Sequence, residues 1–101
     1  MAKTSSIEKN NRRRLMADQQ APKRKRLKAI ANDLKKPAEE RFAARLKLAE
    51  MPRNGAKVRI RNRCEITGRP RGNYRKLMMC RNQLRELASQ GRIPGMTKSS
   101  W

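Results

Sequence analysis

The chain contains no histidine, which removes the side chain best suited to proton transfer near neutral pH and a leading ligand for transition metals. It has one Phe, one Tyr and one Trp in 101 residues, and hydrophobic residues make up 36% of the whole. So little apolar surface supports one small core with extensions, because a short chain buries a limited fraction of its surface even at ordinary composition. Acidic residues number 8 and are scattered. Glu39 and Glu40 are adjacent, but helix neighbours diverge by about 100°, so the pair marks a helix start rather than an acid–base dyad. No Ser stands in a nucleophile elbow. Catalytic residues are therefore not assigned, and the chain reads as a non-enzyme. Two cysteines, Cys64 and Cys80, are too few for a disulfide framework. The N-terminal MAKTSSIEKNN also lacks the apolar stretch of a secretory signal, so a reducing cytoplasm is expected. No run approaches the roughly 18 apolar residues of a membrane span.

What the chain has in abundance is positive charge. It carries 28 Lys and Arg and a formal charge of +20. Self-repulsion at this density opposes a compact state, and a polyanion is the partner that relieves it. Folding coupled to binding follows as an expectation for the extensions.

Residues 1 to 52 read as helical. Ser5 followed by Glu8 fits a capping box for a helix running to about Gln20. Pro22 suits the first turn of a second helix, whose Leu27, Ile30, Ala31 and Leu34 follow a helical apolar spacing and which should stop near Lys36. Pro37 suits a third start with Glu39 and Glu40 favouring its N-terminal dipole; Phe42, Leu46 and Ala49 form its apolar stripe, and Pro52 closes it. The first helix has Ile7, Leu15, Met16 and Ala17 as its apolar surface, with Arg12, Arg13 and Arg14 spread round it. It reads as an arm laid on a phosphate backbone, against the alternative of partial disorder in the free protein.

From Arg53 onward 13 basic residues face two acidic ones, and Arg replaces Lys as the majority cation. Arg grips phosphate in a bidentate way and stacks on bases, so this half should make the structured contacts. Asn54 and Gly55 mark a turn. Residues Val58 to Cys64 alternate apolar and basic with a period of two, which predicts a strand with Arg59, Arg61 and Arg63 on one face. That row is either an RNA contact or a charged edge that blocks aggregation. Gly68 to Tyr74 reads as a loop with Arg69 and Arg71 as its cations, and Tyr74 either stacks on a base or anchors the loop in the core. A fourth helix begins between Arg75 and Arg81 and runs to Gln90, with Gly91 ending it and Leu77, Cys80, Leu84, Leu87 and Ala88 on one arc. The tail to Trp101 has no periodicity; the Trp packs back on the domain or docks against RNA.

The segment RNRCEITGRPRG, the helix after it and the tail RIPGMTKSSW resemble the S fourteen family of small-subunit ribosomal proteins, in its long bacterial-type zinc-free form. The resemblance covers the whole chain and is strongest over residues 58 to 101. It implies a fold that is mainly α with irregular segments: extended N-terminal helices over 1 to 52, then a compact zinc-ribbon-derived module over 53 to 101. It implies a structural role in the small ribosomal subunit, binding its ribosomal RNA and helping to assemble and hold the subunit head, beside proteins three, ten and nineteen of that subunit. No membrane and no homo-oligomer are expected, and the setting is a cytoplasmic ribosome, with an organellar one left open. The RNA-binding candidates become Arg12, Arg13, Arg14, Arg59, Arg61, Arg63, Arg69, Arg71, Arg75, Lys76, Arg81, Arg85 and Lys98.

The family also has a zinc form with two Cys-x-x-Cys pairs. The four positions here read Cys64, Thr67, Cys80 and Gln83. A structural zinc site needs four N or S ligands, and neither a Thr hydroxyl nor a Gln amide replaces a thiolate, so no metal and no other cofactor is expected. Two rival readings are weaker. An architectural DNA-binding protein would show a sizeable apolar face for self-association or apolar wedges for the minor groove. A membrane-adsorbed amphipathic helix would be rich in Trp, Phe and Leu.

Overall fold

The computed structural model describes residues 1–99, so the expectations for Trp101 lie outside the described residues. The chain is mainly α-helical with irregular segments, as expected. Helix α1 spans Thr4–Asn32, α2 spans Ala38–Glu50, and a two-stranded antiparallel hairpin, β1 (Asn73–Tyr74) and β2 (Met79–Cys80), leads into α3 (Arg81–Ser89). Contacts group the residues into two compact units, 8–60 and Met1–Ile7 with the chain from Arg61 onward. Among the described residues no helix is long and apolar enough to cross a membrane.

Within residues 8–60, one continuous helix replaces the two expected before Lys36. Pro22 lies inside α1, which has 29 residues and is about 43 Å long at 1.5 Å per residue. Pro removes one backbone donor and crowds the preceding turn. The helix is clasped on both sides of it, however. Arg24 donates to the Pro52 carbonyl at 2.8 Å, and Gln20 packs so closely on Gly55 that a Cβ there would fall on its amide. The capping box is not formed either. The helix starts at Thr4, one residue before Ser5, and Lys3 supplies the first accepting carbonyl, to Ser6 at 2.9 Å.

The buried positions of α1 are Asn10, Ala17 and Ala31, and that of α2 is Ala44. Small side chains, rather than the large apolar ones, therefore make the close contacts. Leu34 falls beyond the end of α1 and is 82% exposed. On α2 the expected core stripe is turned outward: Phe42 is 62% and Leu46 50% exposed, while Ala44 is buried and Leu48 half-buried. The boundaries of α2 are those expected, with Pro37 at its start, Glu39 and Glu40 in the first turn and Pro52 just past its end.

The second unit is built round a tight knuckle. The Cys64 amide donates to the Arg69 carbonyl at 3.0 Å and the Gly68 amide to the Cys64 carbonyl at 2.8 Å. Gly68 has φ +72°, and a Cβ there would come within 2.6 Å of Ile7 Cδ1, so no other residue fits without strain. The Glu65 amide donates to the Met78 carbonyl at 3.0 Å, which holds the hairpin turn where Met78 takes φ 50°. The Arg81 amide, the first of α3, donates to the Gly72 carbonyl at 2.8 Å, in place of a side-chain cap. Leu84 and Cys80 are buried and Leu77, Leu87 and Ala88 half-buried, so the arc expected from the spacing is the inner face. The helix ends at Gly91, with the Arg92 amide donating to the Leu87 carbonyl at 3.0 Å.

The strand expected over Val58 to Cys64 does not form. Lys57–Arg59 make a 3-10 turn after another at Arg53–Gly55, and residues 60–64 have no regular structure. Val58, expected on the buried face, is 92% exposed. The strand pairing lies later, and β1 takes the last two residues of the segment expected to be a loop.

Candidate nucleic-acid interface

Arg59, Arg61 and Arg63 each donate to a different group of the chain. Arg59 donates to Asn54 Oδ1 at 2.9 Å, Arg61 to the Pro70 carbonyl at 3.1 Å and half-buried Arg63 to the Gly68 carbonyl at 2.9 Å. An irregular backbone leaves carbonyls in need of donors, and these guanidiniums satisfy two of them. Arg63 in particular is a strut of the knuckle. Asn73 does similar work, its Nδ2 donating to the carbonyls of Arg69 at 2.8 Å and Asn62 at 3.0 Å.

Five other residues do come together. A groove of about 1110 Å³ runs between the hairpin and α3 on one side and the tail from Met96 on the other. Its lining includes Lys76, Arg81, Arg85 and Lys98, with Tyr74 among them. Each of the four cations is exposed. Tyr74 is 53% exposed, so it does not serve as a buried anchor. Leu77, Leu84 and Ala88 give the groove an apolar floor. Such a combination suits an unstacked nucleotide: a ring to stack on, an apolar floor, and cations for the phosphates on either side. Arg71 and Arg75 are exposed nearby in the sequence, and Arg69 is half-buried.

On α1, Arg12 is exposed and Arg13 and Arg14 are half-buried. A richer run lies further along the same helix, outside the candidates drawn from the sequence. Lys23, Lys25, Arg26 and Lys28 are all exposed, and the string KRKRLK is the signal that points to them. Arg24 of that run is drawn into the protein instead, by its bond to Pro52.

Cys64 and Cys80 are each 2% exposed. Thr67 Oγ1 lies 3.8 Å from Cys80 Sγ and also bonds to Cys64, so one hydroxyl bridges both thiols. Burial pushes the Cys64 thiol up, but hydrogen bonds from the Thr67 hydroxyl and from the amides of Thr67, Cys80 and Ile66 outweigh it and hold the thiol down at about 6. Gln83 lines the same cavity as Thr67 and Cys80, while its amide donates to Glu86 at 3.2 Å. The donor set is two thiols, a hydroxyl and an amide, which does not fit tetrahedral zinc.

These features define a class: a small, strongly basic protein, with no catalytic constellation among the described residues. The profile of the ribosomal protein S14p/S29e family matches residues 47–100. Over all 101 residues, and over the full length of each relative, the chain is 72% identical to small ribosomal subunit protein uS14 of Rhodospirillum centenum. It is 67% identical to that of Mesorhizobium japonicum and 66% to that of Paramagnetospirillum magneticum over the same span. The chain belongs to the ribosomal protein S14p/S29e family.

Proposed function

We propose that this protein binds small-subunit ribosomal RNA through the Tyr74 groove and the exposed cations of α1, and so helps to fold and hold the head of the subunit. It is a structural constituent of the small ribosomal subunit and not an enzyme, and ribosomal RNA and other ribosomal proteins are its partners. The observation that carries the RNA reading is the groove, whose lining holds Lys76, Arg81, Arg85 and Lys98 together with an exposed Tyr. The cationic side chains neutralise phosphates and release their counterions while a base stacks on the ring, and RNA helices of like charge can then pack side by side. Arg12, Arg13, Arg14, Arg59, Arg69, Arg71 and Arg75 extend the contact surface. Arg61 and Arg63 add charge to it while they brace the knuckle. Residues 1 to 52 act as the helical arm and 53 to 101 as the compact module.

Small-subunit proteins three, ten and nineteen are the proposed protein neighbours, in a cytoplasmic ribosome. A gradient tests the placement. The protein should sediment with the small subunit at moderate salt and leave it at high salt. Sedimentation with the large subunit, or at the top of the gradient at every salt concentration, contradicts it.

A further inference from the structure

Helix α2 breaks the charge pattern of the chain. Its sequence AEERFAARLKLAE has three carboxylates and three cations, in a protein whose formal charge is +20. Two of the carboxylates, Glu39 and Glu50, stand apart from the cations, while Glu40 lies beside Lys47 and the exposed Arg45 and Lys47 border their face on its two long sides. At about 100° per residue, Glu39, Phe42, Ala43, Leu46, Ala49 and Glu50 fall within one arc of roughly 120° that holds no cation. Arg41, Ala44 and Leu48 lie on the opposite side, and the burial agrees: Ala44 is buried and the other two half-buried, whereas all six residues of the arc are exposed. The outward face is thus a strip with Phe42 and Leu46 at its centre and a carboxylate at each end, about 16 Å apart along the axis.

RNA does not match this strip, because phosphates are repelled by both carboxylates and gain nothing from the apolar centre. A second copy of the chain does not match either. An antiparallel pair of such strips sets Glu39 against Glu50, and a parallel pair sets like against like, so both orders place carboxylates together. The complement is an apolar patch on a different protein with Lys or Arg at both ends. We propose that the Glu39–Glu50 face of α2 docks such a patch on a basic protein neighbour in the small subunit, apart from the surfaces that meet RNA. The proposal rests on the small-subunit reading above and names one contact within it.

The test uses the full chain in two variants, Phe42→Gln with Leu46→Gln and Glu39→Lys with Glu50→Lys. All four positions are exposed, and circular dichroism checks that helix is kept. Each variant competes with the unaltered protein for incorporation into small subunits, and its affinity for protein-free small-subunit RNA is measured in parallel. The expected result is a drop in incorporation of roughly ten-fold or more for both. RNA affinity should be unchanged within about two-fold for the Gln pair and no weaker for the Lys pair. Incorporation equal to the unaltered protein overturns the docking strip and leaves the RNA reading intact, and weakened RNA affinity in the Gln pair overturns it as well. Failure of the unaltered protein to enter the subunit instead overturns the reading on which the proposal rests. A photoreactive benzoylphenylalanine at position 42 in assembled subunits should form an adduct with another protein at a segment carrying Lys or Arg. An adduct with RNA or a second copy, or none, contradicts the proposal.

Discussion

The long helix and the knuckle treat the same kind of side chain in opposite ways. On α1, Lys23, Lys25, Arg26 and Lys28 stand exposed, because interior carbonyls of a helix, apart from that of Asp18 four residues before Pro22, already have an amide four residues on. Around the knuckle, where no such ladder exists, Arg61 and Arg63 turn back to the carbonyls of Pro70 and Gly68. Cationic side chains are left for a partner where secondary structure satisfies the backbone, and become part of the fold where it does not. A count of charges along the sequence cannot make that distinction.

The largest expected effect comes from giving the knuckle a stronger organiser. Thr67→Cys with Gln83→Cys adds two thiolates to a site where Thr67 already touches both cysteines and Gln83 lines the same cavity. The double variant should bind zinc stoichiometrically, with an apparent free energy of roughly 10 to 16 kcal/mol at neutral pH. Metal content and the absorption of the cobalt form report it. An empty double variant would mean that the four positions do not converge.

Next is the pH dependence of the knuckle. A Cys64 thiol held at about 6 when folded, against its ordinary 9.0, favours folding fully above pH 9. That contribution falls away as pH drops from 9 and is gone below 6. Denaturant unfolding should therefore show stability rising between pH 6 and 9, and Cys64→Ala should flatten the rise. An equally steep rise in the variant would assign it to another group.

Arg63→Ala removes a charged donor from the Gly68 carbonyl in a half-buried setting and should destabilise the protein by about 2 kcal/mol. Hydrogen exchange should accelerate at the Cys64 and Gly68 amides first. At the other extreme, Leu15 is 63% exposed on α1, and Leu15→Gln should change stability by less than about 0.5 kcal/mol. A larger drop there would mean that the helical region has more core than its burial suggests.

Much of this architecture is legible in the amino-acid sequence. Pro37, Glu39, Glu40 and Pro52 bracket α2, and Gly91 ends α3, because caps and stops are local chemistry. Local chemistry also misleads at Pro22, where the contacts of Gln20 and Arg24 with a segment some thirty residues later decide that the helix continues. The alternation from Val58 to Cys64 is a period without a partner strand, so the guanidiniums take their own chain's carbonyls instead. The stripe of Phe42, Leu46 and Ala49 has helical spacing, but spacing does not say which face turns inward, and Ala44 is the residue that makes the close approach. The groove lies beyond sequence reading in a different sense. Its residues Tyr74, Lys76, Arg81, Arg85 and Lys98 are visible singly, and only the return of the tail past α3 brings them together.

Contact of this groove with phosphates and a base is the proposed function. It is tested most directly by the salt dependence of binding to small-subunit RNA, for the unaltered protein and for a variant with Lys76, Arg81, Arg85 and Lys98 changed to Ala. Each phosphate no longer neutralised should reduce the slope of log K against log salt by roughly 0.7 to 0.9. Weaker binding and a slope shallower by about 3 are expected for the four changes together. Unchanged affinity and slope would contradict it.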